Sequence, residues 1–203
     1  METSTPISLA NKETAIKLIP ALDTSLIDYV RKKIEEKLRK HVKPVGTYKG
    51  ANVYKFGDSE NGYVILVEDS EVIYFVKYKR ISFNGTRHAR QVLVWRNNTA
   101  FPAIGFADFV FFQRLLPTFK SLVSDQLQTE GGKKFWQFAV NKAIDQGLYV
   151  YLYDRSIRPN TLILLPTFND AKVHTKTLWG QTERDKYRLL IISLIPLKLR
   201  DSK

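Results

Sequence analysis

A chain of 203 residues with 44% apolar and 12% aromatic side chains can bury a proper core, which excludes global disorder and fits one domain. Cysteine is absent, so a disulfide framework, a thiolate nucleophile and Cys-type zinc sites are all excluded. The balance of 32 Lys+Arg against 20 Asp+Glu, a net of +12, either favours a polyanionic partner or is a solvated basic surface. Partners of the first kind are nucleic acid, an acidic or host protein, or a phosphorylated cofactor.

His41, His88 and His174 show no metal-ligand spacing and no H-E-x-x-H occurs, so no metal is expected. The N-terminus METSTPISLANKETAIKLIP lacks a basic start followed by an unbroken apolar stretch, and no apolar run approaches a membrane span. These features read as a cytoplasmic protein that does not enter the membrane.

Residues 1–22 read as a weak leader and 23–203 as a single domain. A helix opens at Ser25, with Asp28 in capping-box position, and ends near Lys43-Pro44. Leu26, Ile27, Val30, Ile34 and Leu38 recur at helical spacing, opposite a face carrying Arg31, Lys32, Lys33, Lys37, Arg39 and Lys40. From 45 to 96 the period falls to two. Strands are expected at VGTY, NVYKF, YVILV, VIYFVKYKRI and ARQVLVW, separated by Lys49-Gly50, DSENG, EDSE and Asn84-Gly85. Links this short define an antiparallel meander.

If Asn84-Gly85 is a two-residue hairpin turn, Tyr78 faces Gln91, Lys77 faces Val92 and Lys79 faces Arg90. Tyr74, Val76 and Tyr78 then share a core side with Gln91, Leu93 and Trp95. The other side holds Phe75, Val92 and Val94, then Lys77, Lys79, His88 and Arg90 toward the turn. Cations opposed in this way either repel in solvent or flank an anion.

Beyond Trp95 the pattern is mixed. GFADFVFFQRLL (105–116) is a buried helix stopped by Pro117, and FKSLV (119–123) a short strand. EGGKKFWQFAVNKAIDQ (130–146) is a helix with Phe135, Trp136, Ala139, Ala143 and Ile144 inward, closed by Gly147. LYVYLYD (148–154) is a buried strand, 155–178 a looser stretch, WGQTERDKYR a short helix or turn, and LLIISLI (189–195) a last strand. The fold class is α/β (α+β): a helix, an antiparallel meander, then alternating helices and strands.

Four features bear on chemistry. Thr129 is placed to cap the helix at 130, putting Gly131 and Gly132 where a helix leaves amides unpaired. With Lys133 and Lys134 beside them and Ser124 and Asp125 before them, they form either an oxyanion site or a close helix-to-strand packing surface. Tyr149, Tyr151 and Tyr153 share a strand face, as core packing or with one phenol near the strand end as a general acid. Asp154-Arg155 stands where α/β sites lie, or is a surface ion pair.

The order of elements resembles the GNAT acyltransferase fold over roughly 25–195. On that resemblance ARQVLVW corresponds to the long fourth strand, GFADFVFFQRLL to the helix after it, and SLVSD to a fifth strand splayed for a pantetheine arm. EGGKKFWQFAVNKAI would be the next helix. The family's Q/R-x-x-G-x-G/A pyrophosphate motif has its counterpart in Pro102-Ala-Ile-Gly105-Phe-Ala107, with Pro102 in the leading place.

The resemblance implies acetyl-CoA or another acyl-CoA as cofactor, held near Trp95, Arg96, Gly105, Thr129, Gly131 and Gly132. It implies acyl transfer to an amine, with Ser124 and Asp125 as polar contacts and Tyr151 or Tyr153 protonating the leaving thiolate. SDQLQTEGGKKFW, VYLYDR and LWG also resemble small proteins of phages and mobile elements. The competing reading is a non-catalytic binder of nucleic acid or a host protein, such as an anti-defence factor, using Lys77, Lys79, His88, Arg90, Lys133 and Lys134.

Overall fold

A change of period just after Pro44 marks where strand replaces helix in the computed structural model. It describes residues 32–36, 43–58, 60–83, 86–96, 104–124, 130–155, 161–175, 178 and 187–198. The leader, the start of the first helix with Ser25 and Asp28, the Asn84-Gly85 turn, Asp125 and Thr129 lie outside the described residues. Helix α1 covers residues 32–36, with Ile34 buried and a Lys33–Glu36 pair in solvent at 3.2 Å.

The meander is built from β1 (Gly46–Tyr48), β2 (Ala51–Gly57), β3 (Asn61–Glu68), β4 (Glu71–Phe83) and β5 (Thr86–Arg96), each antiparallel to the next. Lys49-Gly50 and Asp69-Ser70 close two-residue hairpins with every φ positive (48°, 86°, 47° and 67°), the twist that lets flanking strands pair without splaying. At the β2–β3 link Asp58 does the turning. Its Oδ1 accepts the amides of Glu60 (2.7 Å) and Asn61 (2.8 Å), and these bonds, Asn61's first, hold its pKa below the usual carboxylate value.

The β4–β5 register follows the expected pairing from Phe83↔Thr86 to Tyr78↔Gln91, including Lys79↔Arg90. It then shifts by one. Lys77 pairs with Leu93 rather than Val92, Val76 with Val94, and Phe75 with Trp95. Val92 is the extra residue of a β-bulge, so the assignment of Leu93 and Trp95 to the core side with Val76 is corrected. Val94 takes that place and packs on the core.

Helix α2 follows in three continuous segments: α-helical Phe106–Asp108, π-helical Phe109–Leu115 and α-helical Leu116–Phe119. Pro117 does not stop it. In the wide turns the Leu116 amide reaches back to Phe111 O, and proline's missing N–H then falls in the first turn of a fresh α segment, where no donor is required. The helix ends instead at Lys120, left-handed at φ 66°, leaving Phe119 helical and β6 at Ser121–Val123.

Helix α3 (Glu130–Asp145) buries Trp136, Ala139, Val140 and Ala143, with Phe135 and Ile144 at the margin, and Gly147 (φ 68°) closes it. β7 (Tyr149–Asp154) leads to two elements within the stretch expected to be loose. β8 (Thr161–Leu164) pairs with β7. α4 (Phe168–Thr175) opens on a Thr167–Asp170 capping box, the Thr167 amide donating to Asp170 Oδ2 at 3.1 Å. β9 (Arg188–Ser193) is last.

The nine strands among the described residues form one mixed sheet in an α/β fold, ordered β1-β2-β3-β4-β5-β6-β9-β7-β8. Its main core lies on the face covered by α2 and α3, where Val64, Leu66, Val76, Tyr78, Leu122, Leu152 and Leu190 meet Phe106, Phe111 and Trp136. Alternate residues Val123, Tyr151, Tyr153, Leu189 and Ile191 form a second cluster with Leu197 on the other face. Among the described residues no helix is long and apolar enough to cross a membrane.

Candidate functional site

β5 and β6 are the one parallel pair in this strand order, and their ladder is Ala89↔Leu122 and Arg90↔Val123. Beyond it β5 continues from Gln91 to Arg96, through the bulge, with no described strand on that edge. β6 instead follows β9. The Ser124 amide donates to Leu190 O at 2.8 Å, and the Ser124 hydroxyl accepts the Leu190 amide at 2.9 Å. A regular rung would use the Ser124 carbonyl as that acceptor. The side-chain oxygen replaces it, so Ser124, fully buried, marks the end of the β6–β9 ladder. The ladder with β5 reaches the last residue of β6, so the expected parting of the segments 89–96 and 119–123 would fall beyond Ser124, outside the described residues.

The tyrosine stripe lies across β9 from this point. Tyr151 is buried, and its phenol oxygen accepts the Leu197 amide at 3.0 Å. Tyr153 packs beside Leu189 in the same cluster, whereas Tyr149 is partly exposed. Asp154 is not a surface group paired with Arg155. It is 3% exposed, and Arg188 Nε donates to its Oδ2 at 2.9 Å across the rung joining the two residues. A buried carboxylate needs such a cation, and Arg188, directly opposite, provides it.

A second group gathers at the start of α2. Gly105 is left-handed at φ 79°, and a Cβ there would stand 3.0 Å from the Tyr48 hydroxyl. That hydroxyl donates to Ile104 O at 3.2 Å, and the Lys49 ammonium reaches the same carbonyl at 2.9 Å. Tyr48 packs on Phe106 and Phe109. Burial first, then the Asp108 charge, raises its pKa above the ordinary phenol value. Asp108 stands in the first turn, where its charge would oppose an anion, but Lys142 of α3 grips both carboxylate oxygens at 2.6 and 2.7 Å.

Gly131 is exposed in the first turn of α3; Gly132 and Lys133 are half-buried and Lys134 is exposed. On the sheet face opposite α2 and α3, Lys77 lies over the Tyr63 ring at 5.8 Å and Lys79 is exposed. One line of register runs Lys79, Arg90, Val123, Ile191, Tyr151, so the expected anion patch and the tyrosine stripe share a row. His88, Arg90, Trp95 and Arg96 are placed by backbone only, in β5. Sequence reasoning passed over Lys49, Asp108, Lys142 and Arg188. For Arg188 a signal existed: an aspartate inside an apolar strand requires a cation in the strand beside it.

Among the described residues no group of His, Asp and Glu could hold a metal ion. Comparison with protein-family models and with curated proteins finds no match to this chain.

Proposed function

We propose that this chain is a GNAT-like acyltransferase, or a degenerate relative of one, that moves an acyl group from an acyl-CoA to an amine. The observation that carries the reading is the parallel pair β5–β6, whose ladder stops at Arg90↔Val123 while β5 runs on to Arg96. An extended, amide-containing arm fits an edge whose N–H and C=O groups from Gln91 to Arg96 face no described strand. The α2 start also suits an anion: no side chain at Gly105, amides at the positive helix end, and Asp108 neutralised by Lys142.

Bound there, an acyl-CoA would supply an activated thioester. The chain's own residues orient and protonate. The β5 edge would hold the arm straight, and the Ser124 bond to β9 fixes the end of β6 beside it. The expected proton donor, Tyr151, accepts a bond from the Leu197 amide through its oxygen and lies in the cluster on the sheet face opposite α2 and α3. Titration with acetyl-CoA by calorimetry tests the proposal. Saturable heat that weakens in Gly105→Asp is expected, and absence of heat at millimolar cofactor ends it.

The second reading, a non-catalytic binder of nucleic acid or a host protein, is favoured by the net charge of +12 and the exposed Lys79 on its rung with Arg90. A nucleic-acid probe would then shift in a salt-dependent way, and the shift would be lost when Lys77, Lys79 and Arg90 become Ala. Binding retained by that triple variant removes the patch as its seat.

A further inference from the structure

Arg155 follows β7 directly and continues the alternation that places Tyr151 and Tyr153 on one face. Its amide donates to Tyr187 O at 3.1 Å, which ties it to the residue entering β9. The acid beside it is already committed, since Asp154 is held by Arg188. The Arg155 side chain is half-buried, and its Nε is shut off from solvent with no hydrogen-bond acceptor. A guanidinium keeps its charge at any accessible pH, so this donor cannot escape its burial by losing a proton. Native structures rarely leave such a group unsatisfied, and an ordered water or a bound ion is a common resolution.

We propose that Arg155 anchors an oxyanion ligand at the end of β7, a small carboxylate by preference and a phosphate by the same chemistry. Nε–H and the neighbouring Nη–H point the same way, a spacing that matches two oxygens on one atom. Because Nε is buried, the ligand must enter the fold to satisfy it. Tyr187, 47% exposed and joined to Arg155 through the backbone, offers an aromatic surface for the ligand's remaining atoms. The backbone bond to Tyr187 holds the arginine in place beforehand, which lowers the ordering cost of binding. The inference stands without the acyl-transfer reading. If both hold, the acceptor amine carries an acidic group.

The test is the arginine Nε–H spectrum of the full-length protein by heteronuclear NMR, with Arg155 assigned by correlation through its own side chain. Sodium acetate and sodium phosphate are titrated separately at constant ionic strength. A saturable downfield shift of the Arg155 Nε–H is expected, tighter with acetate. Arg155→Lys, which keeps charge but loses the fork, should weaken the acetate-dependent rise in melting temperature by about tenfold in apparent affinity, the worth of one charge-assisted bond. A shift with phosphate alone keeps the site and makes it a phosphate site. An Arg155 resonance unmoved by either anion, whether exchanging with water or already bonded to a carboxylate of the chain, overturns the proposal. Acetyl-CoA calorimetry is independent of this outcome, so either reading can fail alone.

Discussion

Replacing Ser124 with alanine removes one oxygen at the end of β6, where it bonds to β9. The Leu190 amide then loses its acceptor at a place fully closed to solvent, since Ser124 and Leu190 are both at 0% exposure. Water cannot substitute there, so the cost is that of an orphaned buried donor, about 1–3 kcal/mol. For a chain of 203 residues, each kcal/mol lowers the melting midpoint by about 2–4 °C, giving a fall of roughly 2–12 °C. Urea denaturation should show a lower midpoint with unchanged slope, because the surface exposed on unfolding is the same. Hydrogen exchange supplies the discriminating readout: the Leu190 amide should lose protection while Ile192, further down β9, keeps it. A variant within about 0.5 kcal/mol of the parent, with Leu190 exchange unchanged, would refute the idea that the hydroxyl replaces a carbonyl in the ladder.

Gly62→Ala would put a methyl against the Tyr78 phenol and 2.9 Å from the Phe56 carbonyl, costing about 1–3 kcal/mol by overpacking. Adding Tyr78→Phe should restore little in urea titrations, since ring carbon Cζ would still lie 2.5 Å away. Asp154→Ala should cost about 3–5 kcal/mol by breaking the buried pair with Arg188, while Asp154→Leu with Arg188→Leu should recover most of that loss in thermal melts. For Asp58, the folded-state pKa is depressed by the Asn61 and Glu60 amides, so its contribution is present above the unfolded value and disappears as pH falls through the lower folded one. An NMR titration should place its midpoint below about 3.9, and a midpoint at or above that value would contradict the turn geometry.

The meander was readable because its punctuation is chemical. Lys49-Gly50, the DSENG turn and the β-branched apolar run YVILV each favour one local conformation, and the β4–β5 register follows from turn length as far as Tyr78. Past that point counting fails, since nothing in the residues around Val92 announces an inserted position; a bulge is decided by how the two strands twist against the layers beneath. Pro117 misled for a related reason: a proline ends an α-helix but is tolerated after π turns, and such turns carry no composition signal. β8 fits between Pro159 and Pro166, whose presence made the stretch look like a loop, although Thr167 and Asp170 spelled a helix start. At the candidate site the sequence singled out Ser124, which stands at the end of β6. It did not reveal that the Ser124 hydroxyl is bonded to β9, nor that Asp154 looks across to Arg188, because both partners lie far along the chain.

The two-rung contact between β5 and β6 divides a nine-stranded sheet into two antiparallel panels, β1 to β5 and β6-β9-β7-β8. Within each panel neighbouring strands are locked by longer ladders, so shear or tension applied across the sheet concentrates at this seam. With each ladder bond worth only about 0.5–1.5 kcal/mol, widening the gap by a few ångströms sacrifices very little bonding. The shared core beneath, where Tyr78 and Leu190 belong to one cluster, acts as the spring that draws the panels back together.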